Sequence, residues 1–471
     1  MSTQKAILRA NEFVIGQNSV VPQEEARKKP KRLARARIVA NTLRTRPEYQ
    51  AAGLTLAFQA IGVILGAASN LLIAKLFGVN GRGVISFVQV VSVNFGMMPF
   101  NLGLGMAGSY CLSGGKDAKS INATVFWSSL AVGCLPSLLL AMPHLVMRHV
   151  PSAVTHTAVL AAFAVIPLLI IAWNMGYVVI AAHEKWLYNA IRIATPITTC
   201  SALAYIAIRH SATLPEFIVI WFISNSLPAF VAIAGRWHQL RPSFFRFSLF
   251  KSMLRFGGVS HVSTLLQMLC DRFDLILVAT LLPISALGLY AVATSVSEVL
   301  WVVPQSVAPV LLPLVARSEN SAAGKRSTTA FLAFVIVTGI VAAAAIACSA
   351  AILLPRFLPT FSAAVRLIWI LLPGVFLSTI VRVLMVHLIG RGSPRLACWP
   401  PLIGVIVYVF IGIPAVLHWG VIGAAVCSDL SYLAACVTAL CLFIRHVRPQ
   451  GRFTALWTSQ AIIDTPDLQV Q

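Results

Sequence analysis

Residues 328–354 read TTAFLAFVIVTGIVAAAAIACSAAILL, a stretch of apolar and small residues without a charged side chain. An α-helix needs about 20 such residues to cross the hydrocarbon core of a bilayer, which is about 30 Å thick. The stretch therefore predicts a transmembrane helix.

Runs of similar length recur along the chain and predict twelve spans. In chain order they lie near residues 52–75, 84–108, 122–143, 156–182, 187–208, 216–235, 258–283, 287–314, 328–354, 366–388, 397–416 and 420–443. Hydrophobic residues make up 58% of the 471-residue chain and charged residues 11%, whereas a soluble domain is about one quarter charged. This composition excludes a soluble enzyme, a disordered scaffold and a small disulfide-stapled secreted module. It predicts an all-α polytopic membrane protein.

The basic residues predict the orientation of the spans. There are 36 Lys and Arg against 14 Asp and Glu, for a formal net charge of +22. With the N-terminus in the cytosol, cytosolic segments carry 28 of the Lys and Arg, the opposite side 6, and two, Arg272 and Arg382, lie inside spans. Cytosolic segments of membrane proteins are enriched in Lys and Arg. Both termini are therefore predicted in the cytosol, and we expect no nucleic-acid partner.

Residues 1–50 are predicted to form a mostly disordered cytosolic tail. Their basic run from Arg27 to Arg37 would be attracted to anionic lipid headgroups, at about 1 kcal/mol per charge near the surface. No short apolar core follows the first charges, so the tail is not expected to be a secretory signal peptide.

Two stretches 205 residues apart share one layout. Residues 74–86, AKLFGVNGRGVIS, and 279–291, ATLLPISALGLYA, both end one helix, turn near a glycine and begin a long helix. Six helices that return in the same orientation are typical of a parallel repeat in transporters. We predict two six-helix lobes related by a parallel pseudo-two-fold repeat. The expected boundaries are 51–235 and 257–444 for the lobes, 236–256 for a basic cytosolic linker and 445–471 for a cytosolic C-terminal tail.

Three short motifs carry a resemblance to a known family. The sequence LIAKLFGVNGRG at 72–83 resembles the first-loop signature of polysaccharide exporters and O-antigen flippases. The sequences DRFDLIL at 271–277 and ALGLYA at 286–291 are similar to the seventh and eighth spans of that family, which belongs to the multidrug, oligosaccharidyl-lipid and polysaccharide exporter superfamily.

This resemblance implies two lobes around a central cavity that opens alternately to each side. The expected cargo is a polyprenyl-pyrophosphate-linked oligosaccharide, carried across the bacterial cytoplasmic (inner) membrane for a surface polysaccharide such as exopolysaccharide or lipopolysaccharide. A glycan polymerase and glycosyltransferases are candidate protein partners.

Span 7 has the densest polar pattern of any predicted span. The polar residues that share one helical face, at steps of four and three, are Ser260, Thr264, Gln267, Asp271 and Asp274. His261 and Arg272 fall on an adjoining face. Ionisable groups are costly in a bilayer and usually face a cavity or a partner, so this stripe is predicted to line water between the lobes.

Five residues of spans 7, 8 and 10 are candidates for binding the cargo. Arg272 and Arg382 would bind pyrophosphate or acidic sugars, because a guanidinium stays charged and offers a planar fork of donors. Gln267 would add a polar contact, and Tyr290 and Trp301 of span 8 would stack on sugar rings. Packing or lipid contact is the other interpretation for Trp301.

Four further residues have two open interpretations. Asp271, Asp274 and Glu298 would either balance the arginines or take up a coupling proton, and His261 titrates in a useful range if unperturbed. In the second interpretation the carboxylates form fixed ion pairs with Arg272 or Arg382 that tie helices together, and His261 is structural.

Several other functions are less favoured by the sequence. No phosphate-binding loop, nucleophile–base arrangement or clustered Cys/His set is present, so we expect no catalytic residue, metal site or cofactor. A cation-coupled multidrug antiporter of the same superfamily remains the alternative, although residues 52–75 contain no Asp or Glu. A membrane glycan polymerase would need a larger non-cytosolic loop than the one near 144–155. A non-transporting scaffold is the remaining class.

Overall fold

The computed structural model describes residues 47–138, 150–209, 213–316, 321–393 and 395–445. Within these ranges the chain is helical and contains no β-strand. It divides into two units, Met1–Phe58 and Gln59–Gln471, and the described part of the first is helical. The predicted tails, apart from residues 47–50 and Arg445, lie outside the described ranges.

As far as the structure describes them, the first six predicted spans are mainly helical, with a break at residues 101–103 in span 2. The bounds are Pro47–Gln89, a π-helical stretch Val90–Met97, Met98–Phe100, Leu104–Ser113, Ala118–Ser137, His156–Ala164, Ile166–Ala181, Lys185–Arg209 and Leu214–Arg236. Span 5 is a continuous helix although Arg192 and Pro196 interrupt its apolar run.

The last six spans follow two short 3₁₀ turns, Trp237–Gln239 and Pro242–Phe244. The helices are Phe247–Leu281, Ile284–Ser297, the 3₁₀ turn Glu298–Trp301, Val302–Ala316, Ser321–Phe357, Pro359–Phe361 (3₁₀), Ala364–Gly390, Leu396–Cys398 (3₁₀), Trp399–Val407, the π-helical stretch Tyr408–Gly412 and Ile413–Arg445.

Loop residues fix where a span begins, as Asp117 shows for span 3. Its carboxylate accepts hydrogen bonds from the backbone N–H of Lys119 (3.3 Å) and of Ser120 (2.9 Å). These amides at the start of the helix have no acceptor within the helix itself. The Ser120 hydroxyl also donates to Asp117 at 2.7 Å, and this bond, more than any other contact, lowers the pKa of the Asp117 carboxyl.

By length and composition, eight of the described helices can cross a membrane. Two of them contain two predicted spans each: Ala57–Phe100 holds spans 1 and 2, and Leu396–Arg445 holds spans 11 and 12. Spans 3 and 7 are also helical but more polar. In span 7, Asp271, Arg272 and Asp274 fall within four residues.

A glycine breaks each of the two helical stretches that contain two spans, Ala57–Phe100 and Leu396–Arg445. Gly78 has a φ of 63° and Gly420 a φ of 58°, in the left-handed region that a Cβ disfavours. A Cβ added at Gly423 would collide with the backbone oxygen of Ala415. Eight residues of continuous helix would separate these positions by about 12 Å, so the chain reverses between spans 11 and 12.

The repeat predicted from the offset of 205 residues appears as a reciprocal contact. A Cβ at Gly83 would collide with the backbone oxygen of Ile284, and a Cβ at Gly288 would collide with the backbone oxygen of Val79. Gly83 and Gly288 are 205 residues apart, and so are Val79 and Ile284. Two elements that exchange equivalent contacts in this way are related by a two-fold axis. We call this pair of contacts the glycine contact.

The helix that contains span 7, Phe247–Leu281, begins inside the predicted linker and packs into both lobes. Near its start, Leu249 and Met253 are buried in a core formed with spans 2 to 6. Near its end, residues 275–279 are buried in a core formed mainly with spans 8 to 12. A Cβ at Gly103 or at Gly257 would collide with the backbone of the other residue. The polar part of span 7 therefore lies between an end held by the N-terminal lobe and an end held by the C-terminal lobe.

Candidate functional site

The predicted polar face of span 7 stays in one register because the helix Phe247–Leu281 is continuous. Its surroundings change along its length. Thr264 lines a cavity beside the N-terminal lobe, Asp271 meets span 10, and Asp274 enters the core of the C-terminal lobe. The side chain of Ser260 lies outside the described part of the structure.

Asp271 and Arg382 form an ion pair between spans 7 and 10. The Arg382 Nη2 lies 2.8 Å from the Asp271 Oδ2, and the Gln267 Nε2 donates to the Asp271 Oδ1 at 2.9 Å. Both carboxylate oxygens thus have a donor. The side chains of Arg382 and Asp271 are 23% and 12% exposed, which is too buried for either charge to lie unpaired at low cost.

Arg272 and Glu298 form a second ion pair, between spans 7 and 8. Trp301, one turn after Glu298, lies beside both pairs. Its ring centroid is 4.3 Å from the guanidinium carbon of Arg382 and 5.6 Å from that of Arg272, distances at which a cation is attracted to the ring face. We call Asp271, Arg272, Glu298, Trp301 and Arg382 the ion-pair cluster.

Trp301 is held in place by its own hydrogen bond. Its Nε1 donates to the Ser378 hydroxyl of span 10 at 2.7 Å. The indole therefore joins spans 8 and 10 while the guanidiniums of spans 7 and 10 lie over it. This fixes the orientation of the cluster relative to three helices of the C-terminal lobe.

Glu298 of the ion-pair cluster lies near a contact with the N-terminal lobe. Arg82, two residues before span 2, donates from Nη2 to the Ser295 hydroxyl at 3.3 Å. Ser295 precedes Glu298 by three residues, so the two share one helical face.

The charged side chains of the ion-pair cluster neutralise one another and are partly exposed. Its two cations and two carboxylates balance, and the side chains of Arg272 and Glu298 are 32% and 17% exposed. The Arg382 Nε has no partner among the described residues.

Asp274 and Tyr290 form a separate, fully packed group. The Asp274 Oδ2 accepts from the Tyr290 hydroxyl at 2.8 Å and from the Ser428 hydroxyl at 2.9 Å, and its Oδ1 accepts from the Leu275 N–H at 2.7 Å. The Tyr408 hydroxyl lies 2.8 Å from Ser428. All these side chains belong to the C-terminal lobe. We call Asp274, Tyr290, Tyr408 and Ser428 the buried carboxylate group.

His261 lies away from the ion-pair cluster, at a small cavity of about 20 Å³ between the lobes. The lining residues come from spans 2, 4 and 7: Asn101, Gly103, Met106, Trp173, Asn174, Tyr177, His261 and Thr264. The His261 Nε2 and the Asn101 Oδ1 are buried without a partner among the described residues. The cavity therefore presents unsatisfied polar atoms beside two aromatic rings.

The structure thus brings together Gln267, Asp271, Arg272, Glu298, Trp301 and Arg382, and places Asp274, Tyr290 and His261 elsewhere. Sequence reasoning missed Ser378, Ser428 and Tyr408, since single hydroxyls in apolar spans give no periodic signal. It assigned Arg82 to a loop, although the structure buries it. In the described residues no three His, Cys, Asp or Glu side chains lie close enough to hold a metal ion.

Comparison with known proteins gives one family. The family described as polysaccharide biosynthesis protein matches residues 72–372, which is more than half of the chain. A comparison with curated proteins gave no match.

Solved structures share the fold at low sequence identity. An inward-facing multidrug resistance MATE family transporter of the MOP superfamily superposes with a TM-score of 0.68 and 12% identity, over 82% of this chain and 94% of that chain. The lipid II flippase MurJ in an inward closed conformation superposes with a TM-score of 0.61 and 16% identity. The match covers 82% of this chain and 86% of that chain. A mutant of the MATE transporter VcmN of Vibrio cholerae superposes with a TM-score of 0.57 and 12% identity. The match covers 85% of this chain and 99% of that chain. These likenesses confirm the predicted polytopic helical fold with two lobes.

Proposed function

The chain belongs to the polysaccharide biosynthesis protein family, and we propose that it translocates a polyprenyl-pyrophosphate-linked oligosaccharide across the cytoplasmic membrane by alternating access, for surface polysaccharide biosynthesis. The observation that supports the proposal is the ion-pair cluster, which holds two partly exposed arginines of the C-terminal lobe around a buried tryptophan. The likeness in fold to a lipid II flippase supports a lipid-linked cargo.

In the proposed site, Arg272 and Arg382 bind the pyrophosphate. A guanidinium binds phosphate through two parallel N–H donors, and both side chains are partly exposed. Gln267 contacts the cargo after releasing Asp271. Trp301 is buried beneath the two guanidiniums, so a sugar stacks on its ring only after the cargo has drawn the arginines away. Asp271 and Glu298 keep the empty site neutral and accept water or a proton when the cargo displaces them.

Asp274, Tyr290 and His261 have other roles in this proposal. Because Asp274 and Tyr290 are buried within one lobe and bonded to each other, they hold spans 7, 8 and 12 together instead of touching cargo. His261 lies at the cavity between the lobes, where a coupling proton would reach it.

A strain that lacks the protein tests the proposed cargo. We expect lipid-linked repeat units to accumulate on the cytosolic face and surface polysaccharide to be lost. Wild-type protein and Arg209→Leu, a change at an exposed arginine, should restore the polysaccharide, whereas Arg272→Ala/Arg382→Ala should not. Normal transbilayer delivery of repeat units in the deletion strain would refute the proposal.

A cation-coupled multidrug antiporter is the second candidate, favoured by the TM-score of 0.68 to a multidrug transporter. It predicts a different phenotype: the deletion strain would become sensitive to cationic drugs while its surface polysaccharide stayed normal. Measurement of minimum inhibitory concentrations alongside polysaccharide content separates the two functions.

A further inference from the structure

Arg82, which lies two residues before span 2, is a buried guanidinium without a counter-charge among the described residues. It is 2% exposed, and its hydrogen bond to Ser295 is a single long contact of 3.3 Å. Its Nε and Nη1 have no partner among the described residues. By contrast, Arg272 and Arg382 each pair with a carboxylate. A buried charge without a partner is strongly unfavourable, so the site around Arg82 lacks a negative group.

The internal repeat indicates that packing does not require this arginine. The offset of 205 residues relates Arg82 to Leu287, which is 0% exposed in the core of the C-terminal lobe. Arg82 directly precedes Gly83, and Leu287 directly precedes Gly288. The two residues therefore have equivalent positions beside the glycine contact. A leucine packs at position 287, and an arginine occupies the equivalent position 82.

Ser295 locates the guanidinium between the lobes. It follows Gly288 by seven residues, which is about 10 Å along a helix, and it precedes Glu298 of the ion-pair cluster by one turn. The Arg82 guanidinium therefore lies between the glycine contact and the ion-pair cluster, on the route from the cluster to the end of the molecule that the glycine contact closes.

We propose that Arg82 is a third anion-binding residue of the transport site and receives the diphosphate of the lipid-linked cargo from the ion-pair cluster. This inference rests on the proposed function. Arg272 and Arg382 must release a carboxylate before they take an anion, whereas Arg82 has two nitrogens with unused N–H donors. Phosphate oxygens satisfy such donors, and an anion bound there would join the two lobes.

Binding of farnesyl diphosphate to the purified full-length protein in detergent tests this assignment, with farnesol as the uncharged reference. We expect Arg82→Leu to weaken diphosphate binding about tenfold, the loss expected for charge-assisted hydrogen bonds. Arg82→Lys should retain an intermediate affinity. Arg209→Leu removes one positive charge as well, but at an exposed position. This variant should bind farnesyl diphosphate as the wild type does.

The thermal stability of the unliganded variants separates an anion site from a structural arginine. Removal of an uncompensated buried charge is neutral or stabilising, so the melting temperature of Arg82→Leu should match or exceed that of the wild type. A lower melting temperature, or diphosphate binding equal to that of the wild type, overturns the assignment while the proposed function stands. No preference of the wild type for diphosphate over farnesol contradicts both.

Discussion

At the ion-pair cluster, four charged side chains from spans 7, 8 and 10 neutralise one another around one indole ring. Each guanidinium has a carboxylate as well as the ring of Trp301, so neither arginine depends on a single partner. Since these side chains are only partly exposed, the pairs are worth more than those on a surface. The cluster therefore ties three helices together, and in the proposed function its guanidiniums donate to phosphate when the cargo enters.

The pair of Asp271 and Arg382 should show strong energetic coupling. Asp271→Ala leaves a partly buried guanidinium unpaired, Arg382→Ala leaves a carboxylate unpaired, and the double change removes both charges. We expect the double variant to lose about 1–3 kcal/mol less unfolding free energy than the sum of the single variants. Unfolding in detergent with increasing denaturant measures this coupling.

A control cycle combines Asp271→Ala with Arg209→Ala, whose side chain is exposed in the other lobe. The losses of unfolding free energy from those two changes should add to within about 0.5 kcal/mol. Additive effects for Asp271 and Arg382 as well would show that the pair does not form in the protein.

Asp274 should behave as a structural residue. The Asp274 carboxylate accepts hydrogen bonds from Tyr290, Ser428 and the Leu275 N–H. Asp274→Asn replaces one of the accepting oxygens with an N–H₂ group, which is itself a donor and cannot accept these bonds. We expect a loss of about 1–3 kcal/mol of stability, with unchanged affinity of the folded protein for farnesyl diphosphate. A stable Asp274→Asn protein that no longer transports would instead indicate a role in proton coupling.

At the scale of elements, periodicity predicted which face of span 7 is polar but not which partner each residue meets. Steps of three and four residues define a face, and this correctly grouped Gln267 with Asp271. Pairing across 111 residues, as between Asp271 and Arg382, depends on how the helices pack, which local spacing does not encode. The same limit applies to Asp274, whose neighbours come from spans 8 and 12.

Span 10 shows how a proline creates a contact that sequence patterns do not reveal. Pro373 lies inside the helix Ala364–Gly390, and a proline disturbs the helical hydrogen bonds around it. The Gly374 N–H next to it donates to the Asp429 Oδ1 at 2.9 Å. A Cβ at Gly374 would collide with the same carboxylate, so this proline–glycine pair brings span 12 against span 10.

The glycine contact should control access to the space between the lobes. A single Cβ at Gly288 or Gly83 collides with backbone, so Gly288→Ala and Gly83→Ala should separate spans 2 and 8. In a background without native cysteines, we expect Ser295→Cys to react faster with a membrane-impermeant maleimide when either change is present.

Gly66→Ala is the matched control for this labelling, because nothing lies within 4 Å of a Cβ at that position. It should leave the rate of Ser295→Cys labelling unchanged. Folded Gly288→Ala protein with the labelling rate of the control would mean that the contact does not close the molecule.

At the scale of the whole molecule, the sequence repeat predicted the two-lobe arrangement because offset and symmetry are properties of the chain itself. The offset of 205 residues reappears in the glycine contact. What the repeat could not predict is where symmetry is broken. Arg82 and Leu287 occupy equivalent positions, yet one is a buried charge and the other a core residue. Function is expected at such asymmetric positions, since packing alone would favour similar residues in both halves.

The distribution of basic residues predicts the orientation of the whole chain. Five Lys and Arg lie between residues 236 and 255 and none between 273 and 316, so the loop between spans 6 and 7 should be cytosolic and the loop between spans 7 and 8 should face the opposite side. We expect a fluorescent protein fused after Phe244 to be bright and an alkaline phosphatase fused there to be inactive. After Pro283 the two reporters should give the reverse result. If both positions report the same side, spans 6 to 8 do not alternate as the twelve-span arrangement requires, and the predicted orientation of the chain fails with it.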